Sequence, residues 1–136
     1  MALPSVGGGY QVGDGNVNEL QIGYMSDVQT ATSTASLTTA QVLGGVLVGN
    51  PSTTAASYTF PTGTQIDAVL TNAKIGSTFD LVIVNLGTST GVITALASTG
   101  VTIVGQATFP TAAAGSSGQF RFRRTAAATW VAYRIV

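Results

Sequence analysis

Few side chains in this sequence could do acid–base chemistry. The acids are Asp14, Glu19, Asp27, Asp67 and Asp80, and the bases are Lys74, Arg121, Arg123, Arg124 and Arg134. Histidine and cysteine are absent. Glycoside hydrolysis needs two carboxylates facing one bond. Asp67 belongs to a predicted helix and Asp80 to the start of a predicted strand, and no spacing brings them together. Serine and threonine are plentiful, but without histidine the one amine base for a hydroxyl nucleophile is Lys74. Asp14-Gly15-Asn16-Val17-Asn18-Glu19 opens like a calcium loop, with oxygen side chains at the first, third and fifth positions. It then departs from one, since Glu19 stands where the loop needs glycine and Met25 where it needs glutamate. Gly7-Gly8-Gly9 has no strand before it and no helix after it to build a phosphate cradle. The sequence therefore predicts a non-enzymatic protein without metal or cofactor.

The elements that position these residues follow from composition. Formal net charge is zero and charged residues make up 7% of the chain, so nothing draws it to nucleic acid or to an anionic membrane surface. Hydrophobic residues make up 45%, enough for a packed core in one domain. No window is apolar enough to span a membrane, and Met1-Ala2-Leu3-Pro4-Ser5 lacks the basic start expected of a signal peptide. Lacking cysteine, the chain has no disulfide framework.

Residues 1–26 are predicted to be an extended N-terminal arm. Five glycines fall between Val6 and Asn16, too many to order alone. Yet Leu3, Val6, Tyr10, Val12, Leu20, Ile22 and Tyr24 recur through the segment, and a plain linker would lack them. These seven are the candidate contacts to a partner surface. The charges are sorted as well. Asp14, Glu19 and Asp27 stand near the start with no base among them, and Arg121, Arg123, Arg124 and Arg134 near the end with no acid. Asp14, Glu19, Asp27, Arg121 and Arg123 are therefore candidate contacts between subunits.

Residues 27–136 are predicted to be an all-β body. A first strand is expected over Val28–Ala35, a helical turn over Leu37–Leu43, and short strands over Val46–Val48 and Ser57–Phe60. The best helix runs from Thr64 to Ala73, with Ile66, Val69, Leu70 and Ala73 on one face and Thr64 capping through Asp67. Thr78–Leu86 reads as a central strand. Val92–Leu96 and Val101–Val104 follow it. Gln119–Arg124 alternates, Phe120 and Phe122 inward and Arg121 and Arg123 outward. A turn at Ala126–Ala128 leads to the last strand, Trp130–Val136. Short strands at this spacing predict a small β-sandwich of jelly-roll type with one short helix. No internal repeat is evident.

From Leu37 onward the chain resembles tailed-phage virion proteins of the head decoration (cement) type. The resemblance rests on Leu37-Thr38-Thr39-Ala40-Gln41-Val42-Leu43-Gly44-Gly45, on Asn72-Ala73, and on Ile75-Gly76-Ser77-Thr78-Phe79-Asp80-Leu81-Val82-Ile83-Val84-Asn85. It continues through Thr99-Gly100-Val101-Thr102-Ile103-Val104-Gly105 and Gly118-Gln119-Phe120-Arg121-Phe122. It implies a virion structural protein, assembled in the host cytoplasm as a homotrimer, that seats on the major capsid protein. The arm is outside the matched part. The alternative is a tail or head fibre-type module that binds a host surface glycan, with Trp130, Tyr133, Tyr58, Tyr10 and Tyr24 as candidate stacking rings.

Overall fold

The computed structural model describes residues 23–111 and 116–136. Two β-sheets enclose a single core. The larger has the strand order β1 (Gln29–Ala31), β3 (Val46–Gly49), β5 (Thr78–Asn85), β9 (Ser116–Ala126), β10 (Thr129–Arg134) and β7 (Val101–Val104). The smaller has the order β2 (Ala35–Ser36), β4 (Ala56–Thr59), β6 (Ile93–Leu96) and β8 (Thr108–Phe109). Strand alternation decides which residues fill the space between them. Leu47, Leu81, Ile83, Phe120, Phe122, Trp130 and Ala132 point inward from the larger sheet, and Tyr58, Ile93, Ala95 and Phe109 from the smaller. Phe79 stacks on Phe122 at 4.7 Å, and Phe60 meets Phe122 edge-on at 5.0 Å.

The body is β-rich and sandwich-like, as its sequence suggests, but it is not wound as a jelly roll. A jelly roll is built from antiparallel pairs. Here five of the eight strand pairings are parallel: β1 with β3, β3 with β5, β2 with β4, β4 with β6, and β7 with β10. From β1 to β6 each strand lies in the opposite sheet to the one before it. Antiparallel pairing appears with β8 and with the β9–β10 hairpin, which inserts between β5 and β7. The predicted first strand is broken at Thr32–Thr34 into β1 in one sheet and β2 in the other.

Among the described residues two short helices, not one, turn the chain back from the smaller sheet to the larger. They are α1 (Thr39–Leu43) and α2 (Gly63–Val69). Each opens with the same capping box, Thr38 with Gln41 and Thr62 with Gln65, and each then buries one apolar residue, Val42 and Ile66. The α2 cap is therefore Thr62 rather than Thr64. Glutamine has the reach to return to the cap's backbone N–H, and this frees Asp67 for other partners. The helix stops at Val69, short of Ala73, so Lys74 lies in the loop beyond, where its backbone N–H donates to Ser77 Oγ.

The last strand is covered, because β10 is bonded to β9 on one side and to β7 on the other. Beyond it, Ile135 and Val136 are exposed. Gly63, Gly100 and the hairpin turn at Ala128 meet closely where α2 joins the body. A side chain on Gly63 would place its Cβ 2.0 Å from the Ala128 carbonyl oxygen. Alanine ordinarily favours a helix over glycine by about 1 kcal/mol. Gly63→Ala is nevertheless expected to destabilise the body by about 1–3 kcal/mol, because backbone would have to move. Urea unfolding of the variant checks the sign.

Candidate functional site

Asp67 is the best-supplied polar group among the described residues. Its carboxylate accepts from Arg124 Nε at 3.1 Å and Nη2 at 2.7 Å, from the Ala128 backbone N–H at 2.7 Å, and from Trp130 Nε1 at 2.9 Å. Arg124 also donates from Nη1 to the Ala73 carbonyl at 3.2 Å. One carboxylate thus joins α2 to both arms of the closing hairpin. The Arg124 guanidinium, aided by the Ala128 and Trp130 donors, holds the Asp67 carboxyl far below the usual carboxylate range. A group so held stays ionised at neutral pH and has no proton to give, so it is a latch and not a general acid.

Asp80 makes the second ion pair. It sits opposite Arg121 in the β5–β9 register and accepts from Arg121 Nε at 2.8 Å, Arg121 Nη2 at 2.9 Å and Gln119 Nε2 at 2.9 Å. The Arg121 guanidinium lowers the Asp80 pKa. Arg121 is about half exposed, and such a pair sets register more than it adds stability. Arg134 lies at the other end of the inner face, its guanidinium 4.1 Å from the centre of the Phe109 ring. Gly118 admits it, since any Cβ there would strike the guanidinium. Asn85 is fully buried and fully satisfied, donating to the carbonyls of Gly91 at 3.0 Å and Phe109 at 3.1 Å and accepting from the Gly87 N–H at 2.7 Å.

Among the residues predicted from sequence to meet a partner, Leu3, Val6, Tyr10, Val12, Leu20, Ile22, Asp14 and Glu19 lie outside the described residues. Tyr24 is fully exposed, and Met25 and Val28 beside it are half exposed. Asp27 is exposed, its carbonyl accepting from Gln29 Nε2 at 2.9 Å. Arg121 finds its acid on the adjacent strand, in Asp80. Arg123 is exposed on the same outward face, next to Thr78 and Val131 in the register. Arg124 points the opposite way, as the alternation predicts, and meets Asp67. Sequence reasoning missed this pairing because 57 residues separate the two. Trp130 and Tyr58 are fully buried and cannot offer a ring to a sugar, whereas Tyr133 is partly exposed.

Two surfaces remain that could engage a partner. The first is the outward face of the larger sheet. Val46 and Val82 are register partners there, as are Val48 and Val84, while Tyr133 pairs with Val104 and with Arg121. The face mixes these apolar residues with Thr30, Thr78, Thr102 and Gln119, and of its charges Asp80 and Arg121 pair while Arg123 is exposed. The second is a groove of about 730 Å³ between the two capping boxes, lined by Ser36, Thr38, Thr62, Gln65, Ser98 and Thr99 among others. Its hydroxyls and the Gln65 amide stand beside Leu37, Phe60, Pro61 and Ala68, and no titratable side chain lines it. No group of three or more potential metal ligands occurs among the described residues.

The Asp67 latch has a definite pH signature. Its folded-state pKa is depressed, so its contribution is complete above the unfolded carboxylate value of about 3.9 and is lost as pH falls from there toward the folded value. Asp67→Asn is expected to lower the urea midpoint at pH 7, and the gap between parent and variant should narrow steadily below pH about 4. The buried Trp130 is the single tryptophan and serves as the fluorescence probe. A gap that stays constant down to acid pH would mean that Asp67 acts through shape and not charge. No family model, curated protein or solved structure matches this chain.

Proposed function

We propose that this protein is a non-enzymatic structural component of a phage particle. In this reading it decorates and stabilises the capsid, binding the major capsid protein through its N-terminal arm and assembling as a homotrimer. The observation that carries it is the outward face of the larger sheet. It carries Val46, Val48, Val82, Val84, Val104 and Tyr133 among threonines, with Asp80 paired to Arg121 and Arg123 exposed beside them. A face of that kind suits burial against protein more than capture of a charged ligand. The latches at Asp67 and Asp80 support the same reading, because the described carboxylates with shifted pKa values serve as struts. Many copies on one lattice would add modest contacts into firm attachment. A fibre-type module for a host glycan is the second reading, favoured by the hydroxyl-lined groove between the capping boxes. A glycan array without hits would remove it.

Deleting residues 2–25 is expected to leave a folded body that no longer sediments with capsids. A truncated protein that still decorates shells would overturn the role of the arm. Binding should also persist in 1 M NaCl, where the Debye length is about 3 Å and charge contributes little. Release at moderate salt would show instead that exposed arginines such as Arg123 carry the contact.

A further inference from the structure

Residues 24–28 approach β1 with their side chains uncovered. Tyr24 is fully exposed, and Met25 and Val28 are about half exposed. The segment is nevertheless tied to the body. Met25 Sδ lies 3.7 Å from where a Cβ on Gly45 would stand, and Ser26 Oγ 3.3 Å from that position on Gly44. The Asp27 carbonyl accepts from Gln29 Nε2 at 2.9 Å. Tyr24 is thus an aromatic ring held out into solvent on an anchored base. Burying a ring of that size removes about 150–250 Å² from water.

A cavity of about 330 Å³ opens at the end of α2. Its apolar walls are Val69, Leu70, Ala73, Phe79 and Trp130, and no titratable side chain lines it. Phe79 and Trp130 have their ring centres 5.4 Å apart, so an inserted ring would extend an existing aromatic cluster. Val69 on its wall and Ile75, which lies between the lining residues Ala73 and Ser77, are both more than half exposed. Two cations flank the opening. Lys74 follows Ala73 and is exposed. Arg123 is the register partner of Thr78, another lining residue, and its Nη2 lies 3.9 Å from where a Cβ on Gly76 would stand. The described ion pairs engage Arg121 and Arg124, and neither Lys74 nor Arg123 joins one among the described residues.

The two surfaces match in kind. One offers a projecting aromatic ring with the exposed carboxylate of Asp27 three residues on. The other offers an apolar cavity with cations beside it. Three residues of extended chain reach at most about 11 Å, so one docked segment can fill the cavity and still bring Asp27 to Arg123. The sorting of charge along the sequence, acidic before β1 and basic in β9, has the same sense.

We infer that residues 24–28 of one copy dock on a second copy of this chain, with Tyr24 in the cavity against Phe79 and Trp130 and Asp27 paired with Arg123. The occupant comes from another copy, because within its own chain the Tyr24 ring is fully exposed. The contact is head-to-tail, and repeated around a homotrimer it closes a ring. It rests on the self-assembly in the proposed reading and needs no capsid. It moves Tyr24 from the shell contacts to the subunit contacts and leaves those at Leu3, Val6 and Tyr10 untouched. An aromatic anchor seated in a pocket concentrates affinity in one side chain, and its fixed base lowers the cost of ordering it.

Light scattering of the full chain over a range of concentrations, with no capsid present, tests the contact. The parent is expected to associate, as a trimer in the proposed reading. Tyr24→Ala should raise the dissociation constant by about tenfold or more. Its circular dichroism should match the parent's, since Tyr24 supports nothing in its own body. At low ionic strength, where exposed charges are least screened, Asp27→Arg and Arg123→Asp should each weaken association several-fold, and both together in one chain should recover much of that loss. An oligomer that Tyr24→Ala leaves intact, or a doubly reversed chain no better than the single reversals, would overturn this contact and leave self-assembly through another surface standing. A parent chain that stays monomeric throughout would overturn the contact and self-assembly together.

Discussion

The body depends on the Asp67 carboxylate. The strands from β1 to β6 are wound between two sheets and have no hairpin to close them. Closure comes from β9 and β10, far along the chain, and Asp67 ties that hairpin to α2 through Arg124, Ala128 and Trp130. The aromatic core lies under this latch, with Phe79, Phe122 and Trp130 in contact around it. Burial supplies most of the stabilising free energy. The latch decides where the hairpin sits while burial happens, and its charge is well matched to that task because every oxygen lone pair it turns inward meets a donor.

The same arrangement explains why so few charges suffice. The carboxylates at Asp67 and Asp80 are both paired with arginine and both depressed in pKa, so neither offers a proton at neutral pH. Outside the latches the exposed residues include Arg123, Tyr24, Tyr133 and several aliphatic side chains, among them Ile75 and Val104. The proposed place on a capsid rests on that surface.

Much of the local structure was legible in the sequence. Alternation at Gln119–Arg124 placed Phe120 and Phe122 inside and Arg121 and Arg123 outside, and the burial pattern agrees. Alternation in the final strand sets Trp130, Ala132 and Arg134 on one face without saying which face is inner, and Trp130 and Ala132 prove fully buried. The direction of strand pairing was not legible. Ile93–Leu96 carries the same short alternation whichever way its neighbour runs. Gly87–Gly91 has the composition of a hairpin turn, yet it carries the chain from one sheet to the other. The α2 cap was misread by two residues because Thr62 and Thr64 each have an acceptor three positions on, Gln65 and Asp67. The choice between them is made by Arg124 and Trp130, far along the chain.

The central proposal is that this chain is an exterior component of a capsid, attached by its N-terminal arm. Electron cryomicroscopy of the particle that carries it tests this most directly. The account predicts density for the β-sandwich on the outer surface of the head, with residues preceding β1 running down onto the major capsid protein. Finding the sandwich at a tail or fibre position, or against the shell by a surface that leaves its N-terminal residues free, would contradict it.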